Sequence, residues 1–277
     1  MNQTLIITHA VLIGLTPLIP IPVLDDLVKS FFYKRLVELL AFRHKLTLSA
    51  SEVNVLAEDR TQGFFKGCLI GTLEYVVKRL IRKLTIVLEW RRAINVVTHA
   101  YYFGYLMDYA FQQGLYMPGD PRQAVRLRSA IETARLNANT NLVKRIVQSS
   151  FNQSRAAVLR AVQQVSRSLQ DIAFKRSRVW LRRQLAVRLR GRAPRLARWL
   201  YKRLHFTEAE NAQAAEVENT VAEKLEQESP EVEGALQGLI ARLETYLDAL
   251  QKEHAEHFEG LQNRLENALK AGQVSPK

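Results

Sequence analysis

Lys175-Arg-Ser-Arg-Val-Trp-Leu-Arg-Arg-Gln-Leu-Ala-Val-Arg-Leu-Arg-Gly-Arg192 is a helix by its spacing. Trp180, Leu181, Leu185 and Leu189 recur at helical intervals among Arg176, Arg178, Arg182, Arg183, Arg188, Arg190 and Arg192. Arg195, Arg198, Lys202 and Arg203 continue the basic series, with Leu196, Trp199, Leu200 and Leu204 between them. The stretch is the densest part of residues 121–206, where eighteen Arg and three Lys face only Glu132 and Asp171, a formal +19. The flanks differ: residues 1–120 carry +3 and residues 207–277 carry −9, which completes the chain's +13. The chain therefore divides into an apolar helical part (1–117), an Arg-rich helical segment (121–206) and an acidic helical tail (207–277).

Working outward, no useful length of the 277 residues alternates with the period of a strand. Glycine (12) and proline (8) are scarce and clustered, which favours long helices. The fold class is all-α: an N-terminal helical bundle, a long basic helix and a heptad-like acidic C-terminal helix. Towards the C-terminus, Gly191 and Pro194 end the basic helix, and Thr207 with Glu210 forms a capping box. Ser229-Pro230 is expected to open the last helix, in which Leu236, Ile240, Leu243, Leu247, Leu250, Phe258, Leu261 and Leu265 fall near heptad spacing. That helix is expected to lie antiparallel to part of 141–190, with its carboxylates towards Arg.

Towards the N-terminus, Asn137-Ala-Asn-Thr-Asn141 should interrupt the helix, since such residues favour turns and caps. Beyond it, Val147, Phe151, Val158, Val165, Leu169 and Ile172 approach a heptad seam, and an unbroken helix over 141–190 would be about 75 Å long. Pro118-Gly119-Asp120-Pro121 is the clearest boundary, with Asp120 as N-cap and Pro121 at the first helical position. Residues 68–90 and the Tyr-rich 93–112 are expected to be two helices. Ser49 and Glu52 form a second capping box, and Asp25 or Asp26 is expected to cap the helix carrying Leu27, Val28, Phe31, Leu36, Leu39 and Leu40.

The run Gly14-Leu-Thr-Pro-Leu-Ile-Pro-Ile-Pro-Val-Leu-Asp-Asp26, the apolar helix after it, and His44-Lys-Leu-Thr-Leu-Ser-Ala-Ser-Glu52 resemble the EcsC-like domains and the related helical domain appended to some bacterial Era-type GTPases. Arg43-His44 stands where those families carry Tyr-Gly. The resemblance covers residues 11–117 and implies a helical, membrane-associated domain. It transfers no catalytic residues.

The chemistry-bearing candidates are few. Asp25 and Asp26 form a carboxylate pair, with Arg35 and His44 as prospective neighbours, but capping a helix after a proline turn needs the same residues. His254 and His257 stand at i, i+3, where a metal pair is possible but a solvated or seam position is the expected one. Gly63-x-x-x-Gly67 lacks the Lys and hydroxyl of a nucleotide loop, and no nucleophile elbow or His-Glu-x-x-His is present. No cofactor, metal site or enzymatic activity is expected. Cys68 is the single cysteine, which excludes an internal disulfide and fits a reducing compartment. Residues 5–24 lack the basic start and small-residue cleavage site of a signal peptide. As membrane spans, 5–24 is interrupted by prolines, and 93–117 carries Asp108, His99 and five Tyr.

The Arg-rich segment is therefore the expected working part. Guanidinium groups fork onto phosphate oxygens, and Trp180 and Trp199 suit the membrane interface. Expected is a membrane-associated protein at the cytoplasmic face, binding anionic lipid through Arg176, Arg178, Arg182, Arg183, Arg188, Arg190, Arg192, Arg195, Arg198 and Arg203, with Trp180 and Trp199 as anchors. The alternatives are nucleic-acid binding by the same helix, and a scaffold that forms a homo-oligomer or engages a helical protein partner.

Overall fold

The computed structural model describes residues 2–19, 24–58, 82–169 and 208–273. The protein is all-α, with no strand among the described residues. The helices are α1 (Gln3–Leu15), a 3₁₀ turn (Thr16–Leu18), α2 (Leu24–Arg43), α3 (Ala50–Ala57), α4 (Arg82–Gln112), α5 (Pro121–Leu136), α6 (Asn141–Gln153), α7 (155–169), α8 (Glu208–Glu253) and α9 (Ala255–Gln273).

The apolar N-terminal stretch is a core helix. Ile6, Ile7, Ala10, Val11, Leu12, Ile13 and Leu15 of α1 are all buried, which surrounds the helix with protein. At about 1.5 Å per residue its 13 residues reach roughly 20 Å, short of a bilayer's hydrocarbon core. Its main neighbour is α4, which runs antiparallel to it. A Cβ on Gly14 would stand 2.0 Å from Val97 Cγ2, and one on Gly104 would stand 2.7 Å from Ile6 Cγ2. Two glycines thus let the two backbones approach at both ends of the contact. No helix among the described residues is long and apolar enough to cross a membrane.

Local punctuation behaves as expected at three places. Ser49 Oγ accepts from the Glu52 amide at 3.3 Å while Glu52 Oε2 accepts from the Ser49 amide at 2.8 Å, a complete capping box. Asp120 accepts from the Arg122 amide at 2.8 Å and Pro121 opens α5. The Asn-rich stretch separates α5 from α6. The turn before Asp120 uses positive φ at Gly114 (64°) and Gly119 (110°), a region that glycine enters freely.

Four boundaries depart from expectation. Trp90 to Ala93 is no junction, because α4 continues through Arg91 and Arg92, which are good helix formers. Helix α2 begins at Leu24, so Asp25 and Asp26 stand inside its first turn rather than before it. The helix after Asn141 turns at Ser154, where φ and ψ leave the helical region, and resumes at 155. Most of the expected 141–190 rod past that point, together with Gly191, Pro194, Thr207 and the start of the 68–90 helix, lies outside the described residues.

The fourth departure is in the tail. Ser229-Pro230 does not open a helix; α8 runs straight through Pro230 and ends only at Glu253. Val221, Leu225, Val232, Leu236, Leu239, Leu243, Leu247 and Leu250 form one buried stripe in register on both sides of the proline. Pro230 and Glu226 are exposed, so the carbonyl that loses its amide partner can turn to water. A one-residue interruption at His254 then starts α9. The tail does lie antiparallel to the middle of the chain: Gln164 reaches Glu228 at 3.3 Å and Arg242 reaches Ser154 at 2.9 Å.

One apolar core joins all three sequence regions. Leu12, Leu36, Leu106, Ile131, Phe151, Val165, Leu225, Leu243 and Leu261 belong to a single buried cluster.

Candidate functional site

The residues that the sequence singles out for binding, Arg176 to Arg203 with Trp180 and Trp199, lie outside the described residues. The structure describes the helices from which that segment departs and to which it returns. Residues 170–207 hold twelve Lys and Arg against Asp171 alone, a formal +11 out of the chain's +13.

The basic character begins before residue 170. No Asp or Glu occurs between Glu132 and Asp171. Helices α6 and α7 bury Val143, Val147, Phe151, Val158, Val162, Val165 and Leu169. Their other side carries Arg145, Gln148, Ser149, Asn152, Arg155, Ala156, Leu159, Arg160, Gln163 and Arg167, all exposed. The side is held in place by Trp90 of α4, whose Nε1 donates to Asn152 at 3.0 Å and whose ring lies 5.7 Å from the Arg155 guanidinium. Arg145 and Arg167, with Arg122 and Arg126 of α5, pair with no carboxylate among the described residues. Among the described residues Arg160 bonds only to the Ala156 carbonyl of its own helix, at 3.4 Å. Glu132, the one carboxylate of α5–α7, is bound between the buried Arg128 and Arg135.

Three of the tail's described carboxylates turn to helices other than α6 and α7. Glu226 pairs with Arg35 of α2 at 3.3 Å, Glu244 accepts from Thr4 of α1, and Glu266 accepts from Tyr109 of α4 at 2.7 Å. Glu228 does meet α7, through Gln164 and Ser168 rather than an Arg, and these bonds hold its carboxyl below the usual range. Shape and apolar register set this pairing, so the charges settle where the packed helices leave them.

A row of tyrosines on α4 meets the end of α8 and the length of α9. Tyr101 accepts from Gln251 at 2.6 Å, Tyr102 lies 3.0 Å from His257 Nε2, Tyr105 accepts from Gln262 at 2.7 Å, and Tyr109 donates to Glu266. His257, one of the two histidines at i, i+3, is therefore a seam residue. Burial, with Arg264 and His254 nearby, keeps its imidazole below the ordinary range. Phe258 packs on Tyr105 with ring centres 5.1 Å apart.

His44 is not brought to the Asp25–Asp26 pair. It lies 2.8 Å from Asp108 Oδ1, and Asn2 Nδ2 donates to the same oxygen at 2.7 Å. Arg43 donates to Asn2 Oδ1 at 2.9 Å. The cluster ties the start of α1 and the end of α2 to α4. It holds no nucleophile, and three or more His, Cys, Asp or Glu side chains gather nowhere among the described residues. A cavity of about 10 Å³ between α1, α2, α7 and α8, lined by Leu12, Leu15, Val162, Val165, Leu225 and Val232, has room for about one water.

Sequence reasoning missed two features. The α6–α7 outer side was legible as the 38 residues without an acid, and the tyrosine row as Tyr101, Tyr105 and Tyr109 at i, i+4 and i+8. Comparison with family models, curated proteins and solved structures finds no match to this chain.

Proposed function

We propose that the chain is a non-enzymatic, peripheral membrane protein that binds anionic lipid surfaces through the Arg-rich stretch 175–203. One observation carries the reading. The exposed Arg of α5–α7 lack carboxylate partners among the described residues, while the tail carboxylates Glu226, Glu244 and Glu266 engage α2, α1 and α4. The helices that precede residue 170 in sequence are themselves basic, so the +11 of residues 170–207 adds to the charge before it. Each Arg near a negatively charged leaflet contributes about 1 kcal/mol, and five or six in contact hold a protein there without insertion. Trp180 and Trp199 add an apolar contribution that salt does not screen.

The test is vesicle flotation with the full chain, using neutral and anionic vesicles. Binding is expected on anionic vesicles only, reduced when Arg182, Arg183, Arg188, Arg190 and Arg192 become Gln, and reduced further when Trp180 and Trp199 become Ala. Tight, salt-sensitive duplex binding without vesicle binding would assign the basic stretch to nucleic acid instead.

A further inference from the structure

From the α6–α7 geometry we infer a second anionic-lipid contact, built into the folded bundle, which sets how the protein lies on the membrane. The inference rests on the lipid-surface reading and adds residues outside 175–203. Arg155, Arg160 and Arg167 share one side of α7, with Leu159 and Gln163 between them, and Arg145 with Gln148 and Asn152 extends it along α6. From 145 to 167 this side measures about 33 Å at helical rise, a length comparable to several lipid headgroups. It offers guanidinium forks and side-chain amides, donors that match phosphodiester and glycerol-ester oxygens. It presents no carboxylate to repel an anionic leaflet. The opposite side of both helices is locked into the core by Val147, Phe151, Val158, Val162 and Val165. The contact is therefore preformed, and little conformational freedom is lost when it meets a surface. Leu159, 37 % exposed, is the apolar point at the centre of this side.

A bilayer fits better than a nucleic-acid duplex. Residues 170–207, which continue α7 in sequence, interleave Trp and Leu with Arg, a composition for the headgroup–acyl boundary. The bundle then rests on α6 and α7.

The experiment uses the full chain and vesicles of phosphatidylcholine with and without phosphatidylserine. Arg145→Gln, Arg160→Gln and Arg167→Gln are combined, sparing Arg155 and its contact with Trp90. In parallel an environment-sensitive dye is placed at Gln163→Cys in a Cys68→Ser background. The triple variant should retain its circular dichroism and melting temperature and lose roughly a hundredfold in affinity for anionic vesicles, about fivefold per Arg. The dye should shift to the blue on anionic vesicles alone. Undiminished vesicle binding by the triple variant, with the dye still in water, would overturn the inference and leave the 175–203 reading intact. No vesicle binding by the unaltered chain would overturn both. Loss of duplex binding in the triple variant, without vesicle binding, would make this side a nucleic-acid contact.

Discussion

The Tyr109 hydroxyl donates a 2.7 Å hydrogen bond to the Glu266 carboxylate, joining α4 to α9 across 157 residues of sequence. That bond to Glu266, together with burial, pushes the phenol up to about 12, so it stays a donor throughout the physiological range. Along α4, Tyr101 and Tyr105 accept from Gln251 and Gln262 and Tyr102 meets His257, so the acidic tail is fastened to the apolar half of the chain.

Removing two of these bonds should loosen α9 without unfolding the bundle. Tyr105→Phe with Tyr109→Phe is expected to cost about 1–2 kcal/mol of local stability, since each hydroxyl contributes a modest net amount. Hydrogen exchange over residues 255–273 would quicken, with protection of α1 and α4 unchanged. Equal protection of α9 in the double variant would show that Phe258, Leu261 and Leu265 hold it alone.

Glu52 stabilises the α3 end of the bundle as an anion. Burial opposes its ionisation, but the Tyr116 and Ser49 hydroxyls and the Ser49 and Gly119 amides outweigh it and hold the carboxyl at about 2. A carboxyl held below its unfolded value of 4.5 contributes stability that is complete above that pH and is lost as pH falls through about 2. Glu52→Gln should therefore cost about 1.5–3 kcal/mol at pH 7. The gap between the two proteins should close between pH 4.5 and 2 in chemical denaturation series.

His9 acts in a separate window with the opposite charge. Burial lowers its imidazole from 6.5 to about 4, with Arg35 contributing and the Leu5 carbonyl opposing. The unfolded chain therefore binds a proton that the folded chain refuses between pH 6.5 and 4, and stability declines as pH falls through that range. The decline should approach 3 kcal/mol, a figure of about 1.4 kcal/mol per pH unit. His9→Leu should flatten that part of the profile. A wild-type curve level from pH 6.5 to 4 would contradict the assignment.

Gly14 sets the α1–α4 spacing. Gly14→Ala places a methyl 2.0 Å from Val97 Cγ2, and the Ala93 carbonyl is 3.3 Å away. Overpacking of this kind costs about 1–3 kcal/mol, measurable as a lowered denaturation midpoint. Val97→Ala in the same chain should return part of the loss, because it removes the clashing methyl.

Signals confined to a few residues were legible in the sequence. Ser49 with Glu52, Asp120 with Pro121 and the Asn137–Asn141 interruption work through neighbouring backbone groups, so spacing alone reveals them. The course of α8 through Pro230 was not legible, because a stripe from Val221 to Leu250 outweighs one missing amide bond only once α1, α2 and α6 are there to pack against. The partners of the tail carboxylates were hidden for the same reason. Charge complementarity suggested the Arg of 141–190, whereas the packed geometry set Glu266 beside Tyr109 of α4 and Glu226 beside Arg35 of α2. The α6–α7 outer side went unremarked because its four Arg are spread from 145 to 167, beside a segment where they are far denser.

Partition of the full chain between vesicles and duplex nucleic acid, with both present and salt raised in steps, asks which polyanion the basic half recognises. Expected is recovery with phosphatidylserine-containing vesicles, weakening with salt but retaining a fraction that Trp180 and Trp199 hold by burial. Recovery with the duplex, at a log–log salt slope near −0.9 per phosphate contacted, would contradict membrane association as the function of this protein.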